Sequence, residues 1–215
     1  MKRLITQRKA IHLITLFLII AGVMLSFIAC NSDDDDTDTS LLTEQEQLDL
    51  LQLREEEKLA RDVYIYAYNL YGLSVFNNIS NSEQTHMDQV LVILTAYDME
   101  DPASETVGVF NDEALQTLYE QLIARVDISL EEALQVGATI EDLDIMDIEE
   151  FILRTDKEDL ITMYEGLMCG SRNHLRSFNA QIISGGNTYT PVYITQTEFE
   201  EIIASDHENC GVFSY

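Results

Sequence analysis

Four long stretches of the sequence place apolar residues at three- and four-residue steps, the spacing that puts side chains on one face of an α-helix. The stretches run from Thr43 to Gly72, from about Phe76 to Tyr97, from Ser129 to about Arg154 and from Thr155 to Gly185. The whole chain of 215 residues has only 2 Pro and 9 Gly, too few for the many turns of a β-sandwich or barrel. The sequence therefore predicts an all-α fold built on four long helices.

The links between these helices are unequal. Asp98 to Asn111 contains Pro102 and Gly108, so we interpret it as the start of a crossover between two helical hairpins. An extra short helix is expected in the crossover from Asp112 to Arg125. Capping boxes, in which Ser or Thr precedes Glu by three residues, predict helix starts at Thr43, Ser129 and Thr155.

The C-terminal part is expected to lie over the bundle. Tyr189 to Ile194, with Pro191 inside it, is predicted to be a short extended segment, and Thr195 to Ala204 a last small helix. We therefore assign residues 43–194 to the helical bundle and residues 195–215 to a short helix and tail.

The N-terminal segment has the pattern of a secretory signal. Basic residues precede an apolar run from Leu13 to Ile28, which ends at Cys30 and is followed by acidic residues. Phe27-Ile28-Ala29-Cys30 resembles a bacterial lipobox, in which the cysteine is acylated. We expect residues 1–29 to be a signal peptide, Cys30 the lipidation site and residues 30–42 an acidic flexible tether. The alternative is a retained membrane anchor, for which the apolar run is short.

The charge balance limits the partners. The chain has 39 acidic against 12 basic residues and a formal net charge of −27. Nucleic-acid binding needs clustered cations, so this class of function is excluded. An acidic surface also repels anionic lipid head groups, so the acyl chains would hold the protein at the cell envelope, at the outer membrane or cell surface.

Two further cysteines would lie in an oxidising compartment. Cys169 and Cys210 can pair there as a disulfide. The alternative left open by the spacing is a buried, apolar Cys169 and a free thiol in a loose tail.

Ionisable residues interrupt the apolar faces of the four long helices, and most of them lie near mid-helix. They are Glu57, Glu83, His86, Glu141, Asp144 and His174. A buried ionised carboxylate is costly alone, and several together repel one another. A bound cation resolves this conflict, and carboxylate oxygen with imidazole nitrogen suits iron, manganese or zinc.

Four segments in order resemble the ferritin-like family catalogued as domain of unknown function 2202. They are Arg54 to Tyr64, Asn78 to Met87, Gly137 to Ile145 and Gly170 to Phe178. The resemblance covers roughly Thr43 to Ile194. It implies a ferritin-like four-helix bundle, similar to rubrerythrins, with a dinuclear iron centre of the type built from Glu and Glu-x-x-His on facing helices. Manganese and zinc remain alternatives.

The resemblance implies one set of ligands, position by position. These are Glu57 of the first helix, Glu83 and His86 of the second, Glu141 of the third and His174 of the fourth. Ser171 departs from the pattern, because a second bridging Glu is expected three residues before His174. Asp144, one turn after Glu141, is the candidate replacement. Glu56 is the alternative to Glu57 on the first helix.

Each candidate also has a purely structural interpretation. Glu83 can be an N-terminal acid favoured by the helix dipole, and His174 a core histidine bonded to a carbonyl. Tyr64, Tyr68 and Tyr71 along the first helix are interpreted as packing residues rather than redox relays.

The leading hypothesis is a lipid-anchored metal-binding protein that handles iron or reduces dioxygen or peroxide. Its partners would be metal ions or a small oxidant, the membrane through the anchor, and a second copy in a homodimer. If it is an enzyme, it is an oxidoreductase of the diiron carboxylate type. The rival is a non-catalytic surface lipoprotein with an interaction or structural role and a vestigial or structural metal site. Metal storage in a cage-forming assembly is a third hypothesis.

Overall fold

The computed structural model describes residues 41–211. The predicted signal peptide, Cys30 and nearly all of the tether lie outside this range. The helices of the described part are α1 (Glu44–Tyr71), α2 (Ser74–Ala96), α3 (Glu113–Val126), α4 (Leu130–Leu153), α5 (Glu158–Ser184) and α6 (Gln196–Ala204). Residues 41–211 contain no β-strand, so the all-α prediction is confirmed for them. None of these helices combines the length and apolar character needed to cross a bilayer.

Four long helices pack as two hairpins. α1 packs on α2 and α4 on α5, and the hairpins meet through α1 against α4 and α2 against α5. The short α3 lies on α1 and α4. At one end of the bundle the four helices bury a shared apolar cluster that includes Leu53, Leu94, Phe151 and Leu167. Removal of this apolar surface from water is the main force that holds the hairpins together.

Two of the three predicted capping boxes differ from expectation. Thr43 caps α1 with the full reciprocal pair of hydrogen bonds to Glu46. Ser129 accepts from the Glu132 backbone, but the Glu132 carboxylate pairs with Arg125 at 3.2 Å. The prediction at Thr155 was wrong, because its hydroxyl donates to Glu46 Oε1 at 2.5 Å and α5 begins only at Glu158. A contact between distant parts of the chain replaces the local cap there.

The crossover is fastened to α1 by charged groups. Arg54 forms two hydrogen bonds to Asp101, at 2.9 and 2.7 Å. Asp62 is fully buried and accepts from Lys58 at 2.5 Å and from the Gly108 backbone at 2.9 Å. Gly108 has a φ of 75°, a conformation that favours glycine.

The C-terminal segment crosses α4 without regular structure and bends at residues 192–194, so the predicted extended segment is only partly extended. Its anchor is Asp142, which is fully buried. The Asp142 carboxylate accepts from the Tyr189 hydroxyl at 2.6 Å and from the backbone N–H groups of Val192, Tyr193 and Ile194 at 2.5, 3.2 and 2.8 Å.

The tail returns to α5 through a disulfide between Cys169 and Cys210, whose Cα atoms are 5.6 Å apart. Arg172 and Arg176 both donate to the Glu208 carboxylate, and Asn173 donates to the Glu208 carbonyl at 3.1 Å. In the structure the two cysteines are paired, and the bond and these charged contacts hold the tail on α5.

Candidate metal centre

The middle of the bundle brings together five of the six candidate residues, which we call the centre: Glu57, Glu83, His86, Glu141 and His174. Ligand atoms of Glu57, Glu83 and His86 all lie within 4.8 Å of one another, and so do those of Glu83, Glu141 and His174. All five side chains are buried, and each of the four long helices contributes at least one of them. Glu83 belongs to both groups.

Glu83 lies between the two histidines. Its Oε2 is 2.8 Å from His86 Nδ1, and its Oε1 is 2.8 Å from His174 Nδ1. The outer carboxylates complete the groups, with Glu57 Oε2 3.1 Å from His86 Nδ1 and Glu141 Oε2 3.3 Å from His174 Nδ1. Each half of the centre thus has one imidazole nitrogen, one oxygen of Glu83 and one oxygen of an outer Glu.

Both imidazole rings are held with Nδ1 toward Glu83. The rings stack with centroids 5.4 Å apart, and His174 Nε2 lies 2.9 Å from the Ser82 hydroxyl. His86 lies against Gly170 of α5, where a Cβ atom would come within 2.5 Å of Nε2. Glycine at mid-helix lowers helix stability by about 1 kcal/mol, and here it provides the space for the His86 ring.

Several buried oxygens of this region have no hydrogen-bond donor. They are Glu57 Oε1, both carboxylate oxygens of Glu83, and Asp144 Oδ2. Although both histidines approach Glu83 to 2.8 Å, neither contact has the alignment of an N–H···O bond. Leaving a buried acceptor unpaired costs about 1–3 kcal/mol. Buried carboxylate oxygens without donors, gathered beside two imidazole nitrogens, are the arrangement expected around a cation.

The pKa values of two of these carboxyl groups also show that their charged forms are poorly stabilised by the protein alone. Burial, followed by the charges of Glu57 and Glu141, holds the pKa of Asp144 well above its ordinary value. Burial also raises the pKa of Glu57, with the charge of His86 only partly opposing it. At Glu83, burial acts to raise the pKa, but the charges of His174 and His86 outweigh burial and leave this pKa lowered.

Three positions left open by the sequence are placed as follows. Glu57, rather than Glu56, belongs to the centre, because Glu56 accepts from Gln52 at 2.9 Å and faces Asp147. Asp144 is 3% exposed but lies outside both three-residue groups. Ser171 donates to the Leu167 carbonyl of its own helix at 3.3 Å, so α5 contributes no carboxylate at this position.

Sequence reasoning missed some of the supporting residues. Tyr64 was interpreted as packing, and it does contact Phe178, but its hydroxyl also donates to Glu141 Oε1 at 2.5 Å. Tyr64 lies on the same face of α1 as Glu57, and this position is the sequence feature that could have indicated its contact with the centre. No feature of the sequence pointed to Ser82, because its partner, His174, is on another helix. Gly170 was visible as a mid-helix glycine, which often marks a close approach.

An all-α bundle with a buried carboxylate and histidine cluster is the class of protein that this fold and site define. The chain belongs to the family described as an uncharacterized protein domain, DUF2202, which matches residues 46–206. It is 49% identical over 168 residues to the uncharacterized protein MJ0754 of Methanocaldococcus jannaschii, covering 78% of this chain and 91% of that protein. It is also similar to the crystal structure of hypothetical protein MJ0754, with a TM-score of 0.76, 46% identity, and coverage of 84% of this chain and 100% of that one.

Proposed function

We propose that the protein is a ferritin-like metal-binding protein that handles iron or reduces dioxygen or peroxide. The observation that carries this proposal is Glu83, a buried carboxylate whose two oxygens each face a histidine Nδ1 and have no hydrogen-bond donor. One carboxylate is thereby shared by two ligand groups, as in dimetal carboxylate bundles.

The residues of the centre fit two cations. Glu57 and His86 would hold one metal, Glu141 and His174 would hold the other, and Glu83 would bridge them. Asp144 is a further carboxylate beside them. Mixed oxygen and nitrogen ligands suit iron, with manganese and zinc as alternatives. Bound iron would supply the redox chemistry, while the protein excludes water, orients the imidazoles and fixes Glu141 through the Tyr64 hydroxyl.

The proposed location is the cell envelope, with the bundle attached by acyl chains on Cys30. Its support is the resemblance to a lipobox and the acidic stretch that follows. A disulfide between Cys169 and Cys210 is compatible with an oxidising compartment. A homodimer is also part of this proposal, and a sizing column tests it.

A structural metal site in a non-catalytic surface lipoprotein is the second candidate function. Ser171 favours it, because its hydroxyl bonds within α5 and a second bridging carboxylate is missing at this position. With fewer anionic ligands, the centre would stabilise an oxidised metal pair less well. Metal would then raise stability without supporting turnover.

Metal analysis of protein purified without chelator tests metal binding. We expect close to two equivalents of transition metal per chain, and a loss of both in Glu83→Ala because both groups use this residue. His86→Ala should lose mainly one equivalent. The matched control is Asp88→Ala, which removes an exposed carboxylate from the same helix. Less than about half an equivalent in the unsubstituted chain, unchanged in the variants, would overturn the proposal.

Turnover distinguishes the two candidate functions. Ferrous iron mixed with dioxygen or peroxide should be oxidised faster by the unsubstituted protein than by Glu83→Ala. Metal-dependent stability without any turnover would replace the redox function with the structural one.

A further inference from the structure

α4 carries a row of carboxylates that extends beyond the centre. At successive three-residue steps these are Glu141, Asp144, Asp147 and Glu150, which we call the carboxylate row. Each step advances about 4.5 Å along a helix. Exposure rises along the row: Glu141 is 0% exposed, Asp144 3%, Asp147 is half-buried and the Glu150 side chain is 59% exposed. Each step also turns about 60° around the helix axis, so the row winds from the face of α4 that packs on the centre to its exposed face.

α1 adds a carboxylate beside the middle of this row. The Glu56 carboxyl group lies within hydrogen-bonding distance of Asp147 and is 6% exposed. Its Oε1 accepts from Gln52, but its Oε2 receives no N–H or hydroxyl donor. Asp144 Oδ2, one helical turn closer to the centre, is also unpartnered. Two nine-tenths-buried carboxylates thus present free oxygens between the surface and the centre.

In the described part of the chain, protein cations make no direct contact with the inner part of this passage. Within residues 41–211, no lysine or arginine forms an ion pair with Glu56, Asp144 or Asp147. The Arg154 guanidinium lies at the outer end, where it is 3.2 Å from Asp49 and 3.8 Å from Glu150. Arg154 is therefore engaged with acids near the surface and its charge also reaches Asp147, whereas Glu56 and Asp144 have no ion-pair partner among the described residues.

A cation that moves into a bundle core must exchange its water ligands for protein oxygens, and an apolar route would offer none. Carboxylates one helical turn apart supply replacement ligands at each step, and their negative potential concentrates cations at the mouth. We propose that Glu56, Asp144 and Asp147 form a transfer site through which a divalent cation moves from the surface of α4 to the centre. This inference rests on the proposed function, because it gives the centre its supply of metal.

The rate of metal uptake tests the transfer site separately from metal binding. Co²⁺ is mixed in a stopped-flow instrument with the full-length, chelator-treated protein, and its visible absorption at the centre is followed. Asp147→Asn, at a half-buried position outside the centre, should slow uptake by about tenfold or more while the final absorbance stays the same. Glu56→Gln should do the same. Glu149→Gln is the matched control, because it removes an equal charge next to the row from an exposed position.

Each outcome has a defined meaning. Uptake at the parent rate in both variants would overturn the transfer site, as would an equal slowing by Glu149→Gln, which would reflect net charge alone. A lower final absorbance in Asp147→Asn would place this residue in the centre itself and also contradict the inference. If the unsubstituted chain binds no Co²⁺, the proposed function fails and the transfer site fails with it. Circular dichroism confirms that each variant is folded.

Discussion

The bundle buries two kinds of carboxylate, and they differ in their partners rather than in their burial. Asp142 and Asp62 are both 0% exposed, and each is surrounded by donors from the protein. Glu83 is 1% exposed, and although a histidine Nδ1 lies 2.8 Å from each of its oxygens, neither oxygen accepts an aligned hydrogen bond. A buried acid is therefore no sign of a site in itself, because most buried polar groups are hydrogen-bonded. The informative feature is a buried acid that the protein leaves unsatisfied.

The sharpest form of this contrast lies on α4, where Asp142 and Asp144 are two residues apart. Asp142 turns to the C-terminal segment and holds its backbone, whereas Asp144 turns to the carboxylates of the centre. The same substitution at these two positions should therefore have effects of opposite sign.

Asp142→Asn is expected to have the largest effect. An amide replaces a carboxylate that accepts four hydrogen bonds, and its NH₂ group faces donors rather than acceptors. We expect the free energy of unfolding in urea to fall by about 3 kcal/mol, equally with and without chelator. A loss confined to chelator-treated protein would show that Asp142 acts through the centre, contrary to this comparison.

Asp144→Asn should have a smaller effect in the opposite direction. In chelator-treated protein it removes a carboxyl group crowded by Glu57 and Glu141, so the free energy of unfolding should rise by about 1–2 kcal/mol. In metal-loaded protein the gain should shrink or reverse, because a nearby anion has been lost. Destabilisation of the metal-free form would mean that Asp144 is satisfied within the protein.

Glu208 is a third kind of carboxylate, because it is partly exposed and paired with arginines. Its substitution is expected to have the smallest effect. Hydrogen bonding to Arg172, with a further contribution from Arg176, lowers its pKa from 4.5 to about 2 against the opposing effect of partial burial. A lowered pKa means that its contribution to stability is complete above pH 4.5 and is lost as the pH falls toward 2.

Glu208→Gln should therefore reduce stability by less than about 1 kcal/mol at neutral pH, and the difference from the parent should disappear in acid. Unfolding in urea across this pH range, with the disulfide intact, measures the difference. A difference that persists unchanged at pH 2 would show that the Arg172 and Arg176 contacts do not depend on the charge.

The fold was accessible from the sequence wherever its determinants are local. Thr43 with Glu46 and the glycines after α1 and α5 marked helix ends, and the apolar periodicity marked the four long helices. The prediction at Thr155 was wrong because its hydroxyl, which the local pattern assigned to a helix cap, instead binds Glu46, 109 residues away in the sequence. A hydroxyl that can cap a helix can equally bind a distant acid, and only the folded chain decides between them.

The site was accessible for a related reason, since helical spacing alone puts Glu83 and His86 on one face. Spacing could not separate Glu56 from Glu57, because the two are consecutive and both are buried. In the structure Glu57 faces His86 and Glu83 of α2, whereas Glu56 faces Asp147 of α4. The satisfied acids Asp62 and Asp142 were not recognised either. The donors to Asp142 come from the C-terminal segment, and one donor to Asp62 comes from the crossover; neither segment has a periodicity to interpret. Lys58, four residues before Asp62 on α1, is the local donor that helical spacing could indicate.

Anomalous diffraction from a crystal of the protein grown without chelator, measured at the absorption edge of the bound metal, tests the central claim most directly. Two peaks are expected on either side of Glu83, one beside Glu57 and His86 and the other beside Glu141 and His174, about 3.5–4 Å apart as in other two-metal sites. A map without peaks, in which ordered water or protein donors satisfy both oxygens of Glu83, would contradict the claim that these carboxylates are built to bind metal.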